Sequence, residues 1–229
     1  MAKNVTLANL RTLARLEADF VNSQFFSDSD VNLLINRSAD QFYNLVVASD
    51  EDYYRSSSTI SLVSGTDSYT LPADFFKVAR VRAQIGSSPN FYEEILRFND
   101  SERDYYSISA ATIPTMTVLL EYIPARADLV NDSDTMDFIN GFDELVITDA
   151  AIKMKDREES DTNVLMTRKN ELINQLEATI KDRDMANPSV TTDVMKQHSR
   201  IAPWSAASFL RYKVTGNNII FVSYVAPWF

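Results

Sequence analysis

The chain has 229 residues, 45% of them hydrophobic, and a net charge of -10. That hydrophobic share supports a packed core and excludes wholesale disorder. The absence of cysteine excludes disulfides and thiolate metal sites, and four glycines leave no room for a glycine-rich phosphate cradle. No apolar run approaches the ~18 residues of a membrane helix. The N-terminus has no apolar signal core, so synthesis and retention in a cytoplasm are expected.

Residues 5–22 read as a helix, with Leu10, Leu13, Leu16 and Phe20 at helical spacing. A second helix starts at Ser27, a good N-cap followed by Asp28 and Asp30 in the first turn. Phe26 before the cap and Val31 after it suit a hydrophobic staple. Val31, Leu34, Ile35, Phe42, Leu45 and Val46 then trace one face to about Ser49. Residues 1–50 form an N-terminal helical hairpin on this reading.

From Glu51 the period changes to two. Thr59–Val63 and Ser68–Leu71 flank Ser64-Gly65-Thr66-Asp67, which predicts a β-hairpin. In Lys77–Ile85, Ala79, Val81, Ala83 and Ile85 alternate with Arg80, Arg82 and Gln84. Phe91–Phe98 is expected to pair back, and Thr115–Ile123 is a strongly apolar strand. Residues 51–136 are therefore an antiparallel insertion between helices.

Helical patterning returns near Phe138 and continues through Ile152. Ser160 is expected to cap a further helix, with Leu165, Leu172, Ile173, Leu176 and Ile180 inward and Lys169, Glu171, Glu177 and Lys181 on a solvated face. Asn187-Pro188 ends it, so residues 137–187 form the second helix pair. The predicted class is α+β: a four-helix body, an inserted antiparallel β region, and an extended C-terminal arm over 188–229 ending in a β-hairpin. The hairpin strands are Phe209–Val214 and Ile219–Val225 around the turn Thr215–Asn218.

Catalytic groups are few. The one histidine, His198, falls in the expected linker, a poor place for preorganised chemistry. Asn131–Asp137 hints at calcium-loop spacing, but Met136 stands where an oxygen ligand is wanted, and a solvated loop leading into a helix fits better. Asp156, Glu158, Glu159 and Asp161 fit a helix end and its cap. No enzymatic activity, cofactor or metal is expected.

The C-terminal segment is different in kind. Residues 186–229 carry four basic side chains against Asp193, a net +3, leaving -13 on the rest. They also hold seven of the chain's 25 aromatic residues, which could bury about 1,000 Å². A basic, aromatic arm on an acidic body points to docking on a partner. The expected contact residues are Trp204, Phe209, Arg211, Tyr212, Lys213, Ile220, Phe221, Tyr224, Trp228 and Phe229. The competing reading is that the hairpin completes the chain's own sheet.

Tyr69-Thr70-Leu71-Pro72-Ala73-Asp74-Phe75 resembles the Y-x-L-P-x-D-F turn of tailed-phage neck proteins. Asp143–Ala151, with Glu158–Asp161 and the helix holding Arg168-Lys169, resembles their second helical half. The chain is thus similar over residues 5–186 to phage head-to-tail adaptors, also called connector or head-completion proteins. The resemblance implies a ring, usually of twelve subunits, beneath the portal protein at the head–tail junction of the virion. Such a ring extends the DNA channel, lies close to the genome, and offers a platform to tail or nozzle proteins, with the C-terminal arm clasping the portal. An acidic wall makes few phosphate contacts and lets DNA slide. Two alternatives stay open: another neck component, such as a tail-completion or gatekeeper protein, and a hydrolase using paired carboxylates.

Overall fold

The computed structural model describes residues 3–21, 25–50, 52–85, 91–98, 114–139, 141–183 and 210–223. In chain order these hold β1 (Lys3–Thr6), α1 (Leu7–Glu17), α2 (Asp28–Ser49), β2 (Ser56–Leu62), β3 (Ser68–Thr70), β4 (Phe75–Gln84) and β5 (Tyr92–Glu94). They continue with β6 (Leu96–Arg97), β7 (Met116–Pro124), β8 (Thr135–Phe138), α3 (Asp143–Arg157), α4 (Asn163–Arg183), β9 (Leu210–Thr215) and β10 (Asn218–Ser223). The α+β class holds, with four helices among the described residues, sheets that are antiparallel except where β6 runs parallel to β9, and the C-terminal hairpin β9–β10. Two compact units form, one from residues 1–53 and 126–188, the other from 54–125 and 189–229.

The helical unit is built from both ends of the body sequence. α1 is shorter than its periodicity suggests, because Lys3–Thr6 pairs as a strand with Phe138–Thr135. Thr6 then caps the helix by accepting the Asn9 N–H at 3.3 Å. The helix stops before Asp19, whose φ of 65° is left-handed. α2 begins as expected: Ser27 and Asp30 exchange capping hydrogen bonds, which satisfies two otherwise orphaned donors. Phe26 and Val31, the staple pair, are both buried. Val31, Ile35, Ala39, Phe42 and Val46 give α2 its inward face, and the Phe42 ring meets Phe138 edge-on at 5.5 Å. α3 is buried on most sides, while α4 buries Leu172, Leu176 and Ile180. α4 starts three residues after Ser160, where the Asp161 carboxylate accepts the Asn163 N–H at 3.0 Å.

The β unit holds two four-stranded sheets, ordered β2-β7-β4-β5 and β3-β10-β9-β6. Their shared core includes Leu62, Leu71, Val81, Ile95, Leu120, Leu210, Ile219 and Phe221. Four expectations are corrected here. β2 and β3 do not pair with each other; β2 pairs with β7 and β3 with β10. Alternation in β4 is interrupted by a register shift between Val78 and Arg80, so Val78 joins Val81 and Ala83 on the core side, and Ile85, one residue past the strand's end, is exposed. The insertion does not run to residue 136, since β8 belongs to the helical unit. The hairpin, expected to project as part of an arm, is instead hydrogen-bonded into its own unit. Ile219 pairs with Tyr69, and Leu96 with Arg211. The physical reason is burial: Leu210, Ile219 and Phe221 find an apolar shelter within the chain.

Candidate partner-binding surface

The hairpin is held by six cross-strand pairs from Asn218↔Thr215 to Ser223↔Leu210. Its turn is closed by Gly216 at φ 56°, a conformation glycine adopts without strain. Alternation along β9 sends Leu210, Tyr212 and Val214 to the core, as the sequence pattern predicts, and leaves Arg211 and Lys213 on the other side. On β10, Ile219 and Phe221 point inward and Ile220, opposite Lys213, is half-buried. The Lys213 ammonium lies 6.0 Å from the centre of the Phe98 ring, and the Arg211 guanidinium donates to the Leu210 carbonyl at 2.8 Å. Burial pushes the Tyr212 hydroxyl above its usual pKa; the Arg97 charge opposes that shift and Glu94 reinforces it.

The predicted contact residues therefore divide. Phe221 is fully buried and meets the Tyr69 ring edge-on at 6.0 Å, so its surface is used inside this chain. Tyr212 packs against the same core. Arg211, Lys213 and Ile220 lie half-buried on the hairpin's other side, next to the buried Val222. Trp204, Phe209, Tyr224, Trp228 and Phe229 lie outside the described residues, as does His198.

The helical unit carries charged constellations that patterning did not single out. The Asp149 carboxylate, on the buried side of α3, accepts from Lys153 Nζ and Lys169 Nζ, each at 2.6 Å. Lys153 also donates to Ser38 Oγ on α2 at 2.9 Å. Three helices are thus tied through one carboxylate, beside a cavity of about 170 Å³ lined by Phe42, Leu45, Leu145 and Ile173. Lys169, expected on a solvated face, is instead committed to this pair. A second knot sits at Arg126, which donates to Asp40 at 2.7 Å, Asp128 at 2.8 Å and Asn36 at 3.2 Å.

The calcium-like stretch is also structural. Asp134 accepts the N–H groups of Val130 and Asn131 at 2.8 and 2.7 Å, which holds its pKa below the ordinary carboxylate value. Asp132 pairs with Arg11 at 2.8 Å. The loop leads into β8, not into a helix. Among the described residues, no three His, Asp or Glu side chains come together as a metal site, and no helix is long and apolar enough to cross a membrane.

A family model described as SU10 adaptor protein matches residues 5–193. The chain belongs to this family. The match takes in the helical unit from residue 5 onward and strands β2 to β7, and it stops before the hairpin at 210–223. A search of curated proteins found no match. As an SU10 adaptor protein, the chain is a structural component of a phage virion with a head-to-tail adaptor role, and that role implies interaction with portal and tail proteins.

Proposed function

We propose that this SU10 adaptor protein assembles as a ring beneath the portal, extends the DNA channel, and presents a platform to the tail, without enzymatic activity. The observation that carries the reading is the adaptor-family match across residues 5–193. Charge supports it: a net -13 over residues 1–185 disfavours phosphate binding along a channel, while the acid-poor C-terminal segment is suited to an acidic partner surface. In this reading the portal contact is made by Arg211, Lys213 and Ile220 on the hairpin's other side, together with Trp204 and Phe209 just before it. Phe221 supports that surface from beneath.

The test is mass in solution, by sedimentation or native mass spectrometry, of the full chain alone and mixed with portal rings. The expected result is a monomer or weak oligomer alone and a closed ring on the portal. Absence of any association with portal would overturn the reading.

A further inference from the structure

The cavity between α2, α3 and α4 has a mixed lining, but its ionic members are already engaged. Asp149 accepts from Lys153 and Lys169, and Ser38 Oγ, which accepts from Lys153, donates to the Leu34 carbonyl at 2.9 Å. The surface left to offer is apolar: Phe42, Leu45, Leu145 and Ile173. Gln41 on its lining is exposed, and Leu45 and Ile173 are half-buried, so the cavity opens to solvent between α2 and α4. An apolar cavity of about 150 Å³ holds one benzene ring, so this one, about 170 Å³, fits a phenyl side chain.

The β unit presents such a ring. Ala83 is the last residue of β4 paired with β7; Gln84 pairs with Tyr92 on β5, and the Ile85 N–H meets the Phe91 carbonyl at 2.8 Å. The β4–β5 ribbon therefore runs on beyond β7 as two strands, an arrangement that is marginal in water without cover. Ile85, Phe91 and Tyr92 are 48%, 63% and 40% exposed there, and no side chain from Ala83 to Tyr92 is charged. The other exposed phenylalanines among the described residues suit a docking role less. Phe25 meets the Phe26 ring edge-on at 4.9 Å, and Phe76 stands in sequence between Asp74 and Lys77.

Charge selects the owner of the socket. The helical unit carries 12 basic and 23 acidic side chains, a net -11, and the β unit carries 10 and 9, a net +1. Two helical units of neighbouring copies set side by side would bring like charges within the roughly 8–10 Å over which salt screens them poorly. A β unit set against a neighbour's helical unit avoids that repulsion. We propose that Phe91 of one copy seats in the α2–α4 cavity of a second copy. Each copy gives one ring and accepts one, a head-to-tail contact that can close into a circle of subunits. This inference rests on the ring reading above and assigns the contact between neighbours.

The chain has no cysteine, so introduced thiols report without background. Full-length Gln41→Cys, at the cavity mouth, and Tyr92→Cys, beside Phe91, are mixed, assembled on portal rings and treated with bismaleimidoethane. The expected product is a cross-linked dimer containing one of each variant, while Glu158→Cys mixed with Tyr92→Cys is expected to give none. Phe91→Ala, at an exposed position, should keep the wild-type melting temperature and assemble on the portal at least about tenfold more weakly. Portal-bound rings with neither the Gln41→Cys/Tyr92→Cys product nor any weakening by Phe91→Ala would overturn the contact and leave the ring reading standing. A Tyr92→Cys cross-link to the portal or a tail protein instead, or one closed within a single chain of the double variant, would do the same. Failure to form any oligomer on the portal would overturn both.

Discussion

Replacing Asp149 by alanine removes the shared acceptor of two ammonium groups. The Asp149 side chain is 6% exposed, and those of Lys153 and Lys169 are 22% and 30% exposed. Removing one partner of a fully buried pair costs about 3–5 kcal/mol. Both lysines keep access to water and can re-solvate, so the expected loss falls to about 2–3 kcal/mol. The assay is urea unfolding followed by helical circular dichroism, with the midpoint lowered and the slope unchanged. Asp149→Asn is expected to lose nearly as much, since an amide can accept from one lysine only by turning its donors toward the other. Acid titration gives an independent reading. Burial would raise the Asp149 pKa, but hydrogen bonds from Lys153, Lys169 and Ser38 outweigh it, and the net shift is downward. With a folded value below the unfolded one of about 3.9, its contribution is full above that pH and is lost as pH falls through the folded pKa. Asp149→Asn should therefore flatten the acid limb of the stability curve. A loss below ~0.5 kcal/mol, the range of ordinary surface substitutions, with an unchanged acid limb, would refute the idea that this carboxylate ties the helices.

Other outcomes follow from the same geometry. Phe221→Ala should destabilise the β unit by about 3–5 kcal/mol in thermal or urea unfolding, because it empties a fully buried site. Arg211→Glu with Lys213→Glu should weaken portal binding at least about tenfold, more so at low salt, beyond any loss of stability it brings; pull-down across a salt series, with a thermal melt beside it, reads this. Arg126→Ala should cost about 2 kcal/mol and speed proteolysis within residues 126–134, and Arg126→Lys should rescue little, since an ammonium cannot reproduce a fork contacting Asp40, Asn36 and Asp128.

Locally encoded features were legible before any coordinates. Ser27 and Asp30 announce the start of α2 because capping is decided within three residues. The alternation of Leu210, Tyr212 and Val214 marks an inward face because strand periodicity is a property of the backbone. The charge contrast between body and C-terminal segment needs no fold at all.

Which strand meets which was decided only by tertiary structure. The turn signal at 64–67 is real, but β2 and β3 take different partners, more than fifty residues away for β2 and about 150 away for β3. Short-range patterning carries no information about such pairings, because the apolar area they bury depends on the whole sandwich. The same holds for Lys169, polar on a helical wheel yet drawn to Asp149 twenty residues earlier. It holds most of all for the hairpin. Its sequence fixes two strands and an apolar face, but whether that face meets another molecule or its own domain turns on the shelter that β3 and β6 provide, and Phe221 lies buried there.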